Sequence, residues 1–484
     1  MPLMLLCDVL RAQSQSMTLS EAIVVARNQS VAALEAKHAF ISVYWSYRAY
    51  KATFLPSLSI YGDLMNYDRS LTLLQSYQDG SFNYAATNNL RNSIGVRVSQ
   101  NLSLTGGTVS LYSDLNRLDQ FGHDRSLTWY SQPITISYSQ PLFAYNKFKW
   151  DKKIQPQEYE HGRRRYIESM EEITVNSVVA FFNLILERMR LDVAKFNYEN
   201  TSEMYRIAME RLNIGTVTRD ECLQLELRML NDSISINEQQ VKVREAQMAF
   251  NSVLGYSETQ EIVPILEDAL PDLMMDYDMV IDRALNNSSF GLNNEINLLN
   301  AESDLAKAKA DRGVSMSVYA RFGLSQKDNT FNGAYRNPLD QEVVGMTFNI
   351  PIFDWGLGRG KIQKAKAAQE AVKAQVQQAE NDFRRVIFTA VGQFNNQRNQ
   401  CQVSSRARHI ASERLDLMVD KFRSGNATVT DLNTAQSEND TAIEKYVTDI
   451  SNYWKYYYTL RQYTLYDFIK QSEIDVDVME MVEE

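Results

Sequence analysis

Side chains able to do covalent or metal chemistry are few and scattered along this chain. Four histidines (His38, His123, His161, His409) and three cysteines (Cys7, Cys222, Cys401) show no metal-ligand spacing, and no nucleophile motif stands among them. Gly356-Leu357-Gly358-Arg359-Gly360 lacks the x-x-G spacing and the βαβ setting of a nucleotide loop and reads as a strand-to-helix joint. The expectation is therefore no catalytic, cofactor or metal site, and no enzyme. What does recur at fixed spacing is a glycine followed by a threonine three residues on and a carboxylate six residues on. It occurs as Gly215-Thr216-Val217-Thr218-Arg219-Asp220-Glu221 and again, 210 positions later, as Gly425-Asn426-Ala427-Thr428-Val429-Thr430-Asp431. The chemistry of that pattern is capping. Glycine ends one helix in the left-handed conformation, the threonine hydroxyl takes up bare N–H groups of the next, and the acid sits where the helix dipole favours it.

One copy would mean only an αα-hairpin; two at a fixed offset mark a duplicated chain. Gln140-Pro141-Leu142-Phe143 answers Ile350-Pro351-Ile352-Phe353 at the same shift of 210. Nearer the start of each half the shift is 258: Ala26 to Ser30 answers Ala284 to Ser288, Lys51-Ala52 answers Lys309-Ala310, and Ser57 to Tyr61 answers Ser315 to Tyr319. The first half thus carries 48 extra residues, at about 68–131. Repeat 1 is expected over 17–254, with a helix at 18–52, strands, a long helix at 155–213 and a return helix at 217–253. A linker at 255–275 leads to repeat 2 over 276–470, with strands within 314–352, a long helix at 361–423 and a return helix at 429–470. Residues 1–16 read as the remnant of a secretory signal lacking a basic start or as a disordered N-terminus, with a misplaced start or lipidation of Cys7 as further alternatives. Residues 471–484 read as a mobile acidic tail.

At 1.5 Å per residue each long helix would run about 90 Å; if Gly215 and Gly425 mark the same end, Cys222 lies about 10 Å and Cys401 about 36 Å from it, which speaks against a disulfide between them within one chain. The helices carry apolar seams at 3–4 spacing, Val175, Val178, Phe182, Ile185, Met189, Val193, Phe196 in the first and Ala365, Ala368, Val372, Val376, Ala379, Phe383, Val386, Ala390, Phe394 in the second. The strand candidates alternate apolar and polar residues, and at about 10 residues they have the length that crosses a bilayer when tilted. Aromatics crowd the joints into the long helices: Phe143, Tyr145, Phe148 and Trp150, then Phe353 and Trp355, the composition of a membrane-interface girdle. No run of 18 apolar residues suggests a transmembrane helix. A net charge of −10 and a pI near 5.2 speak against nucleic acid as a partner.

The doubled helix–strand–strand–helix plan, the Pro-x-Phe joints and the Gly-x-x-Thr-x-x-acid reversals resemble the TolC family of outer-membrane efflux and export proteins over about residues 18–470. That resemblance implies a mainly α fold with β: three protomers sharing one outer-membrane β-barrel, continued by an α-helical coiled-coil tunnel through the periplasm. It implies a homotrimer in outer-membrane lipid, a periplasmic adaptor docked at the helical tips and an inner-membrane pump, proton-driven or of the ABC type. It places Gly215, Thr216, Thr218, Gly425, Asn426 and Thr428 on the adaptor-docking tips, Asp431 on a pore-facing acidic position and Phe422 on an aromatic gate position. Ala427 and Thr434 stand where well-known members carry a tip arginine and a second acid, leaving Arg423, Arg219, Asp220 and Glu221 to tie the gate. Asp431 read by itself is an ordinary helix-start acid. The rival to a passive duct is a periplasmic or cell-surface coiled-coil scaffold.

The family norm of two strands per repeat gives four per protomer. The 48 extra residues also alternate, at Ser93–Leu102 and Thr108–Asn116 around the turn Thr105-Gly106-Gly107. An outer loop from Tyr67 to Asn89 and another near Gly122 would then leave six strands per protomer and eighteen per trimer. The competing picture keeps twelve, with the hairpin projecting from the cell surface.

Overall fold

The structure, a computed structural model, describes residues 15–75, 80, 82–121, 125–267 and 269–476. Strand β1 (Gln15–Met17) and helices α1 (Leu19–Gln29) and α2 (Val31–Ala52) lead into strands β2 (Ser57–Gln75), β3 (Phe82–Asn101), β4 (Thr108–Gln120) and β5 (Ser126–Leu142). Helices α3 (Lys147–Asn213) and α4 (Arg219–Leu254) complete the first repeat. The second holds β6 (Ile262–Pro264), α5 (Tyr277–Asn287), α6 (Ser289–Arg312), β7 (Ser315–Asp328), β8 (Leu339–Asn349), α7 (Leu357–Arg423) and α8 (Val429–Thr464), closed by β9 (Tyr466–Asp467) and β10 (Ser472–Glu473). The chain divides into a helical unit of residues 1–42, 160–292 and 377–484 and a sheet unit of residues 43–159 and 293–376.

In the helical unit the helix expected at 18–52 is two helices, broken at Ser30. Ser30 is extended (φ −66°, ψ 149°) and donates its N–H to the Ala26 carbonyl, while its hydroxyl accepts from the Ala33 N–H. The break recurs at Ser288 (φ −72°, ψ 165°), bonded to the Ala284 carbonyl. These are the serines matched by the 258 shift, so the kink belongs to the repeat. One core gathers Met17, Ile23, Phe181, Phe182, Phe250 and Ile450; a second gathers Val280, Ile387, Phe394, Tyr453 and Tyr457.

The expected seams shift as they run. Val178, Phe182 and Ile185 are buried, but Ala194 and Asn197 take the place of the exposed Phe196, and Ile387 that of Val386. A helix of 3.6 residues per turn drifts against a strict 3.5 repeat. One 18-residue window of α3 is apolar enough to cross a membrane by composition, but 56% of it is buried in this core. Glu171, fully buried, is matched by Arg27 at 2.8 Å and Arg461 at 3.0 Å, and Arg461 also meets Asp467 at 3.0 Å. Such a charge is tolerable inside only because it is paired.

The linker is not featureless, since β6 pairs in parallel with β1. The tail expected to be mobile begins anchored: β10 pairs with β9, and Asp475 meets Arg163 at 2.7 Å. The remnant signal up to residue 14, Cys7 and the acids beyond 476 lie outside the described residues. Cys222 and Cys401 are buried and free.

The sheet unit is built on one antiparallel sheet in the order β2-β3-β4-β5-β7-β8. Its strands run longer than the expected 10 residues because the stretch from Tyr67 to Asn89, expected as an outer loop, is itself paired. Tyr67 faces Leu90, and the ladder continues to Gln75 facing Phe82. Serine, threonine and asparagine there satisfy a ladder as readily as a loop. The second outer loop near Gly122 lies outside the described residues.

Cross-strand register sorts the two faces. Leu58, Val98, Leu111, Ile136 and Phe322 stand in one row, whereas Ser57, Ser99, Ser110, Ser137 and Arg321 stand in the next. Leu58, Ile60, Ile94, Val96, Ile136 and Phe348 are all solvent-exposed in the single protomer. The sheet thus presents an apolar face with nothing covering it and a polar face opposite, the pattern of a membrane barrel wall.

Candidate functional site

The two glycine–threonine reversals lie together at one end of the helical unit. Gly215 (φ 73°) and Gly425 (φ 84°) are left-handed, as the motif requires. Each closes the same pair of bonds: Gly215 N–H to the Leu212 carbonyl (3.1 Å) with Thr216 N–H to Arg211 (3.1 Å), and Gly425 N–H to Phe422 (3.0 Å) with Asn426 N–H to Lys421 (2.8 Å). The 6→1 bond marks a Schellman ending in both.

Each next helix starts with a reciprocal capping box. At α4 the Glu221 N–H donates to the Thr218 hydroxyl oxygen at 3.2 Å, and the Thr218 N–H donates to the Glu221 carboxylate at 2.8 Å. At α8 the Asp431 N–H donates to Thr428 at 3.2 Å, and the Thr428 hydroxyl and N–H donate to Asp431 at 2.7 and 3.1 Å. Those two donors, the hydroxyl first, hold the Asp431 carboxyl below its ordinary value of 3.8.

Beneath the turns, Met204, Ala208, Leu225, Leu415, Phe422, Val429 and Leu432 form a separate core. Phe422 is only 3% exposed, so its ring packs inside the protomer rather than on a free surface. Arg423 is exposed and 4.0 Å from Asp420. Thr434 donates to the Thr430 carbonyl at 2.9 Å, and Asp220 accepts from Gln224 at 2.8 Å. Arg219, Thr216, Asn426 and Thr428 are exposed, and Ala427 is half-buried. The structure therefore brings every tip and gate residue of the sequence reading to one end, with the Asp431 carboxylate already engaged in its cap.

Arg211 is the residue that reading missed. Its guanidinium donates to the Phe422 carbonyl at 3.0 Å and to the Arg423 carbonyl at 2.6 Å, and lies 5.9 Å from the Phe422 ring centroid. From α3 it thereby gives the Phe422 carbonyl a second donor beside the Gly425 N–H and bonds the Arg423 carbonyl at the end of α7. The sequence shows only a basic residue in the last turn of a helix, where the dipole favours any cation.

In the sheet unit the joint aromatics are placed variously. Tyr145 shares a 2.6 Å hydroxyl contact with Ser303, Phe148 packs edge-on to Phe54, and Lys153 lies 5.2 Å over the Trp150 ring. Phe143 is exposed, and Phe353 stacks edge-on against Trp355, itself 90% exposed. Among the described residues no cluster of histidine, cysteine or acidic side chains could hold a metal ion.

Paired helical reversals, two structural repeats and a sheet with an uncovered apolar face make up a fold that solved outer-membrane channels share. Residues 280–464, most of the second repeat, match the model of the family described as outer membrane efflux protein. The fold is similar to that of the CmeC outer membrane channel of Campylobacter jejuni, at a TM-score of 0.66 and 14% identity over 96% of this chain and 88% of that one. It is similar also to VceC of Vibrio cholerae (TM-score 0.65, 12% identity, 94% and 97% covered) and to the open-state MtrE channel of Neisseria gonorrhoeae (0.60, 14%, 95% and 91%). At such identities these likenesses speak for the fold. No curated protein sequence matches the chain. The family match thus covers most of the second repeat by sequence, and the likeness of fold extends over nearly the whole chain.

Proposed function

We propose that the chain is the outer-membrane component of a tripartite export system, a passive duct of three copies. A periplasmic adaptor docks at the helical tips and opens it, and an inner-membrane pump supplies the energy. The observation that carries this reading is the meeting of the two duplicated reversals at one end of the helical unit, in a protein whose sheet leaves its apolar face uncovered. A scaffold has no use for a bilayer-facing sheet.

Self-association is supported by apolar stripes that have no partner within one protomer. Leu223, Leu227, Leu230, Ile234, Val241 and Met248 stand exposed on α4, and Val403, Ile410 and Leu417 on α7, at heptad spacing. The tips Gly215, Thr216, Thr218, Gly425, Asn426 and Thr428 are the adaptor's docking positions in this reading. Asp431, repeated three times around the axis, is the carboxylate ring that holds cations in the closed state, with Arg423, Arg219, Asp220, Glu221 and Thr434 around it. Phe422 supports the gate from inside the protomer.

Purified protein in planar bilayers should form cation-binding channels whose block by divalent cations weakens in Asp431→Ala. A protein that never conducts would sink the duct and leave the scaffold. Conductance and block unchanged in Asp431→Ala would return that residue to helix capping alone. In cells, Gly425→Val should lower export more than Gly392→Val at equal membrane levels, since a Cβ at Gly392 meets nothing within 4 Å.

A further inference from the structure

We infer that one copy's sheet is a third of a closed eighteen-stranded barrel, in which β8 of each copy pairs with β2 of the next. The inference rests on the three-copy channel reading above and deepens it. The inserted strands β3 and β4 are full members of the wall. Their connecting turn, where the Gly106 N–H bonds the Leu102 carbonyl at 2.8 Å, is tied to the helix-bearing end of the sheet. Asn146, at the entrance of α3, donates to the Ser103 and Leu104 carbonyls at 3.4 and 3.3 Å, and Gln140 donates to Thr105 at 2.7 Å. On the other side Asn101 and Gln100 donate to the Thr53 and Phe54 carbonyls, between α2 and β2, at 3.0 and 3.3 Å. A hairpin projecting from the cell surface could make none of these bonds.

The two open edges are complementary. All five neighbouring pairs are antiparallel, so the first strand, β2, and the sixth, β8, run in opposite directions. Copies joined β8 to β2 therefore continue the same antiparallel order. The apolar face continues too, with Leu58 and Ile60 exposed at one edge and Val344, Met346 and Phe348 at the other. Neither Ser57–Gln75 nor Leu339–Asn349 contains a proline or a lysine, the usual protections of a free edge. In lipid, unpaired edge N–H and C=O groups have no water to satisfy them, and closure is the remedy.

The sheet also carries the devices that curve a wall. Register shifts fall at Asp63/Asn66, Tyr112/Asp114 and Ser131/Thr135. Tyr61 faces Gly95 across the β2–β3 ladder, as Tyr319 faces Gly345 across β7–β8. At about 4.8 Å between strands and about 40° of tilt, eighteen strands close a ring roughly 35 Å across, against roughly 24 Å for twelve. The added strands furnish the polar face of that wider ring: Arg97 lies 4.4 Å over the Tyr61 ring and 5.6 Å over Tyr112, and the Tyr61 hydroxyl bonds Asp114.

Three measurements on the full chain test this. A membrane-impermeant maleimide on intact cells should label Arg125→Cys, at the outer end, and spare Leu104→Cys, at the inner turn. Labelling of both would place the hairpin outside and restore a twelve-stranded wall. Cysteines placed pairwise at Val344, Met346 or Phe348 and at Leu58 or Ile60 should, on oxidation, give covalent trimers for at least one pair. A complete scan without intermolecular links, at normal membrane levels, overturns the seam. Native mass spectrometry of the detergent-extracted protein isolates the underlying reading. A dimer or monomer mass would overturn three copies, and the eighteen strands with them, whereas a trimer mass with Leu104→Cys labelled would overturn the barrel alone.

Discussion

At the first reversal a Cβ added to Gly215 would meet nothing within 4 Å; at the second, one added to Gly425 would come 3.5 Å from the Arg211 guanidinium. The two turns share their left-handed glycine, their 6→1 bond and their capping box, all of which are local and all of which the duplication preserved. They differ in who closes the helix that arrives. The end of α7 has two carbonyls taken by an arginine from α3, whereas Lys421 stands at the matching position of α7. An ammonium is a single point of charge and lacks the two-pronged fork that spans neighbouring carbonyls. A duplicated motif can thus keep its backbone while one copy becomes the clamp and the other the clamped. In the adaptor-opened duct proposed above, the clamped copy is the one whose release would separate the two hairpins.

The sharpest way to break this contrast is to remove the clamp. Arg211→Ala should raise hydrogen exchange over the last two turns of α7 by about 30-fold, corresponding to roughly 2 kcal/mol for lost charge-assisted bonds to one partly buried and one exposed carbonyl. The first turn of α4 should change far less. Arg211→Lys should restore less than half of the protection. An equal rise at both reversals would mean that Arg211 supports the tip core as a whole, with no directional clamp.

The glycines come next. Alanine in a left-handed position costs about 1–2 kcal/mol, so Gly215→Ala and Gly425→Ala should both loosen their turns. At Gly425 the new methyl would only touch the Arg211 guanidinium at 3.5 Å, an ordinary van der Waals contact, so the two costs should agree within a few tenths of a kcal/mol. Gly392→Ala, mid-helix and unobstructed, should stabilise by about 0.5–1 kcal/mol. Thermal melting of the three variants orders them, and a Gly425 variant far more damaging than the Gly215 one would show that the turn tolerates no group beside Arg211. Smaller again are the caps. Thr218→Ala and Thr428→Ala should each cost about 1 kcal/mol and agree within a few tenths, because the boxes have the same geometry.

What could be read in advance follows the same division between local and distant causes. Gly215, Gly425, Thr218 and Thr428 announce their conformations because a left-handed residue and an N-cap are decided within one turn of chain. The long helices were legible for the same reason, and their ends fall within a few residues of expectation except at the start of α3, which begins eight residues earlier, at Lys147. The Ser30 break was harder: serine inside an apolar-periodic stretch signals nothing until its repeat at Ser288 shows it twice. The polar stretch after Tyr67 misled, since a strand whose partner is equally polar loses the alternation that reveals strands. Arg211 was invisible because its partners lie 211 and 212 residues away in the sequence.

The smallest expected effect concerns protons. Asp431 accepts from both the hydroxyl and the N–H of Thr428, which lowers its carboxyl below 3.8 in the folded protein. A carboxyl whose folded value is depressed contributes stability that is fully present above its unfolded value and is lost as pH falls through the folded one. Protection of the first turn of α8, corrected for intrinsic exchange, should therefore be flat from pH 7 to about 5 and fall below about 4. Asp431→Asn, which cannot titrate, should show weaker protection at pH 7 and no fall of its own at this turn. The same measurement separates capping from gating. If the carboxylate ring of a closed trimer also draws Asp431 residues together, their mutual repulsion opposes the Thr428 bonds. The midpoint should then lie higher in the assembled trimer than in a dissociated protomer. Identical midpoints in the two states would leave Asp431 a capping residue and move the gate to Arg423 and the first reversal.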